Sequence, residues 1–145
     1  MKSKVVIGIL GLTGLAAAFS YGAFPIQTRT VKDGVYTSAQ ADRGAQTIED
    51  YGCRNCHGGQ LEGGLDEQPQ LVGEEFVNLW SGRKLDELAE KITTMPADQD
   101  EAYHVKAAAA SDVVAYLLRT NGYPAGTAEL PADPKVLKLI QIVAP

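Results

Sequence analysis

Two cysteines and a histidine lie within five residues, in the order Cys53-Arg54-Asn55-Cys56-His57, and the chain has no other cysteine. This spacing is typical of the attachment of a c-type haem. Each thiol adds across one vinyl group of the porphyrin, so a single tight turn has to present both sulfurs to one edge of the ring. The imidazole that follows then reaches the iron as its proximal ligand. We therefore predict one covalently attached haem c, held by Cys53 and Cys56 and ligated by His57.

Three other uses of these residues have to be weighed. A thioredoxin-like redox pair has the same cysteine spacing but belongs to an α/β unit, which the neighbouring sequence does not indicate. A zinc site has four candidate ligands, namely Cys53, Cys56, His57 and His104. Adjacent Cys56 and His57 would nevertheless struggle to complete one tetrahedron. A disulfide across two residues is strained and leaves His57 without a function, so haem attachment is the interpretation that uses all three side chains.

The iron also needs a sixth ligand, or its sixth position stays open. Met95 is the only methionine besides Met1, and it directly precedes Pro96 at the end of an amphipathic segment. His104 is the second candidate. Ligation by a thioether and an imidazole raises the reduction potential and closes both faces of the iron. We predict His57 and Met95 as the axial pair, which favours electron transfer over chemistry on a substrate.

The rest of the chain predicts an all-α protein whose short helices share a core with the haem. The segment 37–40 has the form of a capping box and begins a helix that runs to about residue 50, where Gly52 allows a turn. Further helices are predicted at about 74–80, 84–95 and 105–120, and Asn121-Gly122 ends the last of them. No strand is predicted. An extended tail follows, with an apolar patch at Val136, Leu137, Leu139, Ile140 and Ile142.

The N-terminal segment has the composition of an export signal. Lys2 and Lys4 precede an uncharged run at residues 5–19, and the small residues at 16–18 and 20 are suited to cleavage. The uncharged stretch is also long enough to cross a bilayer of roughly 30 Å, with residues 5–24 as the anchoring part. We predict residues 1–24 as a signal peptide or membrane anchor and residues 25–145 as one domain with an extended N-terminal arm and a C-terminal tail. Either alternative places that domain outside the cytoplasm.

The net charge of the chain limits the kinds of macromolecule that it can bind. The formal net charge is −5, and removal of residues 1–20 takes away two lysines and no acid, which lowers it to −7. Nucleic acid is excluded as a target, because its phosphate backbone requires a basic face. Acid-rich proteins meet basic patches on their partners, and opposite charge speeds the encounter, although solubility explains the same balance equally well.

The order of these features resembles the class I monohaem cytochromes c. Gly44 and Ile48 resemble the residues through which the first helix of that family crosses the last. The segment Val113-Val114-Ala115-Tyr116-Leu117 resembles the motif that meets them. The resemblance implies the small cytochrome c fold, in which the N- and C-terminal helices cross around one haem.

The same resemblance implies further haem contacts. Pro69 and Leu71 match a family segment in which the proline carbonyl accepts the second N–H of the proximal imidazole. Trp80 is implied along the haem edge, with its indole N–H towards a propionate; a core tryptophan is the alternative. Arg83 is a candidate for balancing propionate charge, and a solvated arginine is its alternative.

A narrower resemblance concerns function. Residues 34–37 with Gln40 and Arg43-Gly44, and residues 115–118 with 121–126, are similar to cytochromes associated with periplasmic quinoprotein (PQQ) dehydrogenases. Those proteins accept electrons from the dehydrogenase and pass them towards a terminal oxidase. The similarity implies a periplasmic electron carrier without enzymatic activity, soluble or anchored to the outer face of the inner membrane. Its expected partners are a quinoprotein dehydrogenase, a terminal oxidase or another redox complex.

Two other roles remain open at this point. The chain could be a haem subunit of a larger redox complex, with its apolar tail as an interface. A peroxidase or gas-binding protein would instead leave the sixth position of the iron open.

Overall fold

The computed structural model describes residues 29–64 and 68–145, so the export segment predicted at residues 1–24 lies outside the described residues. The described part contains six helices, namely α1 Ser38–Asp50, α2 Arg54–His57, α3 Gly73–Trp80, α4 Leu85–Ile92, α5 Ala107–Thr120 and α6 Pro134–Leu137. It also contains two short strands, β1 Arg29–Thr30 and β2 Ile140–Gln141. The mostly helical architecture predicted from the sequence is therefore confirmed. Within these ranges, none of the helices has the length and apolar character that a bilayer crossing requires.

Of the two hydrogen bonds that a capping box predicts at the start of α1, the structure has one. The side-chain oxygen of Thr37 accepts a hydrogen bond from the Gln40 N–H at 3.1 Å and caps the helix. The reciprocal half of the predicted capping box is wrong, because the side-chain amide of Gln40 is engaged elsewhere. Its nitrogen donates to the Leu130 carbonyl at 2.8 Å, and its oxygen accepts from the Leu130 N–H at 2.7 Å. Gln40 thus satisfies two buried backbone groups of the tail.

Helix α5 begins two residues later than predicted. The N–H of Val105 donates to the carbonyl of Met95 at 2.9 Å, and this bond closes the loop between α4 and α5. Lys106 then caps α5 with an extended backbone. This one hydrogen bond therefore fixes Met95 at the start of the loop and Val105 at its end.

Helices α1 and α5 cross at Gly44. A Cβ atom at this position would lie 1.9 Å from the carbonyl oxygen of Asp112 and 2.8 Å from the Cβ of Tyr116. Only glycine permits so close an approach of the two backbones. Ile48, one turn further along α1, is buried. This is the contact that the resemblance to the cytochromes c implied for Gly44 and Ile48.

The C-terminal tail differs from the prediction, since it contains α6 and β2. Strand β1 pairs in parallel with β2, with Arg29 opposite Ile140, and Lys84 forms an antiparallel bridge to Gln141. A two-residue strand is too short to show a period of two in the sequence, which is why these strands were not predicted. The apolar patch of the tail mostly joins the core: Leu137, Ile140 and Ile142 are buried, whereas Leu139 is 64% exposed.

Candidate haem site

A cavity of about 290 Å³ lies among α1, α3, α4 and α5, and seven of the residues predicted to contact a haem line it. These residues are Cys53, Cys56, His57, Pro69, Leu71, Trp80 and Met95. The structure thus brings together side chains from four separate parts of the sequence. Most of the remaining wall is apolar and was not predicted as part of the site: Ile48, Leu79, Leu88, Ile92, Val105, Val113 and Leu117.

The two cysteines reach the cavity from a single helical turn. Gly52 adopts a left-handed conformation with φ of 64°, which ends α1 and directs the chain into α2, as predicted. The N–H of His57 donates to the Cys53 carbonyl at 3.0 Å and closes the turn. Cys53 is half-buried and Cys56 is exposed. Burial raises the pKa of the Cys53 thiol above its ordinary value.

Two neighbouring segments support this turn. The N–H of Gly63 donates to the His57 carbonyl at 2.8 Å, and a Cβ atom at Gly64 would lie 2.0 Å from the Cys56 carbonyl oxygen. The glycine-rich loop therefore packs directly on the backbone of α2, and a larger residue at Gly64 would displace it.

Arg54, the second residue of the motif, connects it to the glycine-rich loop through the Gly59 carbonyl and also to the first and last long helices. Its guanidinium pairs with Glu49 of α1 at 2.5 Å and donates to the hydroxyl of Tyr116 of α5 at 3.2 Å. The variable residue at the second position of the motif thus contributes to its placement.

The ring of His57 is fixed by a backbone carbonyl. His57 is 8% exposed, and its Nδ1 lies 2.9 Å from the carbonyl oxygen of Pro69. A carbonyl oxygen only accepts hydrogen bonds, so Nδ1 carries a proton and donates it to Pro69, and Nε2 is the ring nitrogen that remains to bind a metal. A metal-binding histidine has this arrangement, in which the partner of the second nitrogen fixes the tautomer and the ring orientation. The hydrogen bond that the resemblance implied is present.

Asn121 positions the segment that carries Pro69, a role that its sequence pattern as a helix end does not predict. Its side-chain nitrogen donates to the Leu71 carbonyl at 3.0 Å, and its side-chain oxygen accepts from the Gly73 N–H at 2.8 Å. Asn121 is 9% exposed. An amide offers both a donor and an acceptor, but the sequence gives no sign that its partners lie about fifty residues earlier.

Of the two candidates for a sixth ligand, Met95 lines the cavity and His104 does not. The N–H of Met95 donates to the Ile92 carbonyl at 3.0 Å, which continues the last turn of α4. The Nε2 of His104 instead lies 3.2 Å from the carbonyl oxygen of Gln99. Among residues 29–64 and 68–145, no three His, Cys, Asp or Glu side chains are grouped to hold a metal ion. The zinc arrangement considered above is therefore not formed there.

Trp80 is 6% exposed and lines the cavity, which agrees both with a position along a haem edge and with a core tryptophan. The guanidinium of Arg83 lies over its ring, 5.0 Å from the ring centre, and pairs with Glu87 at 3.2 Å. A cation over the face of an indole is attracted by the ring quadrupole, so this contact holds the tryptophan in place. Arg83 itself is not among the lining residues.

The donor set of the cavity fits a haem c: two thiols, an imidazole with an available lone pair and a thioether, enclosed by aliphatic and aromatic side chains. The chain matches no protein-family model, no curated protein and no solved structure.

Proposed function

We propose that this chain is a class I c-type cytochrome that carries electrons in the periplasm. The observation that carries the proposal is that the Cys-x-x-Cys-His turn and Met95 line one apolar cavity. Cys53 and Cys56 would hold the haem through thioethers, and His57 and Met95 would be its axial ligands. The bound group supplies a one-electron iron couple, whose potential imidazole–thioether ligation raises.

The surrounding residues perform the remaining tasks of a carrier. The carbonyl of Pro69 keeps the proton on Nδ1 of His57 and so directs Nε2 to the iron. The apolar wall excludes water from the site, which lowers the local dielectric constant. Leu79 lines the cavity and is 46% exposed, so one edge of the site reaches the protein surface. A docked redox protein, such as a quinoprotein dehydrogenase or a terminal oxidase, would exchange electrons across that edge.

Covalent attachment is the first test of this proposal. Haem colour should stay with the wild-type chain through denaturing electrophoresis, and Cys53→Ala combined with Cys56→Ala should abolish it. Met95→Ala is the matched control, because it removes a ligand but leaves both thioethers, and it should keep its colour. Extraction of the colour from wild type into acidified acetone would contradict the proposal.

The carrier role is tested by kinetics on the purified, haem-loaded chain. Stopped-flow mixing with a reduced quinoprotein dehydrogenase should reduce one haem per chain. The rate should change with ionic strength, because charge steers such encounters. Steady turnover of peroxide by the isolated protein, at rates typical of enzymes, would show that the chain is not a simple carrier.

A further inference from the structure

The side chain of Asn121 joins the end of α5 to the segment 69–73. Its amide nitrogen donates to the carbonyls of Leu117 and Leu71, at 2.8 Å and 3.0 Å. Its amide oxygen accepts from the Gly73 N–H at 2.8 Å. Leu117 lies one turn earlier in α5, so the bond to it fixes the side chain on the helix, and the other two bonds hold the segment. The side chain is buried and both hydrogens of its amide are used, so its position is fixed.

The segment 69–73 carries the carbonyl that orients His57. The carbonyl oxygen of Pro69 lies 2.9 Å from Nδ1 of His57 and accepts its hydrogen bond. One residue separates Pro69 from Leu71, whose carbonyl Asn121 holds. Because peptide units are planar and stiff, a shift at Leu71 is passed to the Pro69 carbonyl. Asn121 therefore controls the alignment of this carbonyl with Nδ1–H, although it does not line the cavity.

A second anchor holds the same segment but belongs to a different part of the fold. The N–H of Leu71 donates to the Leu61 carbonyl at 2.8 Å. Leu61 lies in the glycine-rich loop, and the N–H of Gly63 bonds that loop to the His57 carbonyl. This anchor therefore belongs to the same local unit as the histidine. Asn121 is the anchor in a long helix, so it fixes the segment relative to the rest of the molecule.

We propose that Asn121 is a positioning residue for the haem iron and lowers its reduction potential. The proposal rests on the proposed function, because it needs a haem ligated by His57. A hydrogen bond from Nδ1 to a carbonyl raises the basicity of Nε2, and a more basic ligand stabilises ferric over ferrous iron. Asn121 keeps the Pro69 carbonyl where it accepts this bond. Loss of the Asn121 side chain should therefore weaken the bond and raise the potential.

Asn121→Ala tests the proposal in the full, haem-loaded chain. This variant changes no charge and removes all three side-chain hydrogen bonds. We expect the equilibrium between ferrous and ferric haem to move about threefold to tenfold towards the ferrous form, a rise of about 30–60 mV for a one-electron couple. A redox titration measures the potential. Proton NMR of the reduced protein gives a second readout, because the Nδ1 proton of His57 should exchange faster with solvent when its bond is weaker.

Gln40→Ala is the control for a general loss of stability. It removes a buried amide that makes two bonds to Leu130, and Gln40 does not line the cavity. It should leave the potential and the exchange of the Nδ1 proton as they are in wild type. An equal rise of the potential in both variants would show that any destabilisation raises it and would overturn the proposal. An unchanged potential in Asn121→Ala with covalent haem would also overturn it and leave the carrier role intact, whereas a wild-type chain without covalent haem would overturn both.

Asn121→Asp decides the question if Asn121→Ala does not fold. An aspartate has nearly the same shape and keeps an acceptor for the Gly73 N–H, but an ionised carboxylate has no hydrogen to donate to Leu71. Its negative charge also shifts the potential, so this variant is judged by the exchange of the Nδ1 proton of His57 alone. Faster exchange than in wild type would support the proposal, and an unchanged rate would overturn it.

Discussion

Hydrogen bonds to or from backbone groups hold His57 and Met95 at the cavity. The Pro69 carbonyl fixes the ring of His57. The backbone of Met95 bonds to Ile92 on one side and to Val105 on the other. Neither support uses the methionine side chain. A substitution at Met95 would therefore remove the proposed ligand without removing the backbone bonds that shape its loop.

We expect Met95→Ala to convert the closed iron into an open one. The far-red absorption band of ferric methionine ligation should disappear, the reduction potential should fall, and cyanide should bind faster. Visible and near-infrared spectra with a redox titration measure these changes. His104→Ala is the control and should leave all three unchanged, because this ring faces the Gln99 carbonyl. If His104→Ala produces the changes instead, His104 is the sixth ligand.

The residues of the candidate site with distinctive side-chain chemistry could be predicted from the sequence. The residues that only form its wall or support its backbone could not. Thiol, imidazole and thioether side chains have few alternative uses, so Cys53, Cys56, His57 and Met95 could be selected by type and spacing. The aliphatic wall could not be assigned, because a leucine beside a cavity has the same sequence pattern as a leucine in a filled core. Asn121 was missed for a related reason, since its partners come from a distant loop.

The crossing of α1 and α5 sets the distance between two walls of the cavity. Ile48 of α1 and two residues of α5, Val113 and Leu117, all line the cavity. The close approach at Gly44 therefore determines how far apart these apolar side chains lie. Any change that separates the two helices alters the site without touching a ligand.

Gly44→Ala should lower the free energy of unfolding by about 1–3 kcal/mol, because the added Cβ overpacks the crossing. In an exposed helix the same change would stabilise the protein by about 1 kcal/mol, so the sign itself is the test. Denaturant unfolding of the haem-loaded protein measures the difference. Gly59→Ala is the control, since a Cβ there meets nothing within 4 Å. A stabilised Gly44→Ala variant would show that the helices do not approach as closely as described.

Helices could be predicted from the sequence where their signals are local. Apolar spacing and a capping hydroxyl indicate α1 and α4, and Gly122, with φ of 82°, ends α5 as expected. The structure differs from the prediction where a residue bonds to a partner that lies far away in the sequence. Gln40 has the spacing of a capping residue but bonds to Leu130, and Arg29 forms a strand only because Ile140 lies beside it.

Hydrogen bonds join the segment 34–40, near the start of the described chain, to the segment 123–130 of its C-terminal part. The hydroxyl of Tyr36 donates to the Tyr123 carbonyl at 2.7 Å, and the Tyr36 carbonyl accepts from the Gly126 N–H at 2.6 Å. A Cβ at Gly126 would lie 1.9 Å from the carbonyl of Gly34, so the two segments touch backbone to backbone. The buried amide of Gln40 adds its pair of bonds to Leu130.

Gln40→Ala should destabilise the haem-loaded protein by about 2–4 kcal/mol, because it leaves a buried N–H and a buried carbonyl of Leu130 without partners. Thermal and denaturant unfolding measure the loss. Gln46→Ala, on the same helix, removes one exposed bond to Asp50 and should change stability by less than about 0.5 kcal/mol. Similar losses of stability from the two substitutions would mean that the hydrogen bonds from Gln40 to Leu130 do not hold the tail in place.

The fastening of the two ends has a consequence for the order in which the molecule is assembled. A ribosome makes residues 53–57 long before it makes residue 130, and a chain exported from its N-terminus passes through the membrane in the same order. The bonds from Gln40 to Leu130 and from Tyr36 to Tyr123 therefore cannot form when the two thiols first emerge. The cysteines are therefore present in a chain that has not yet closed, and the residues that close it, 123–130, are made later.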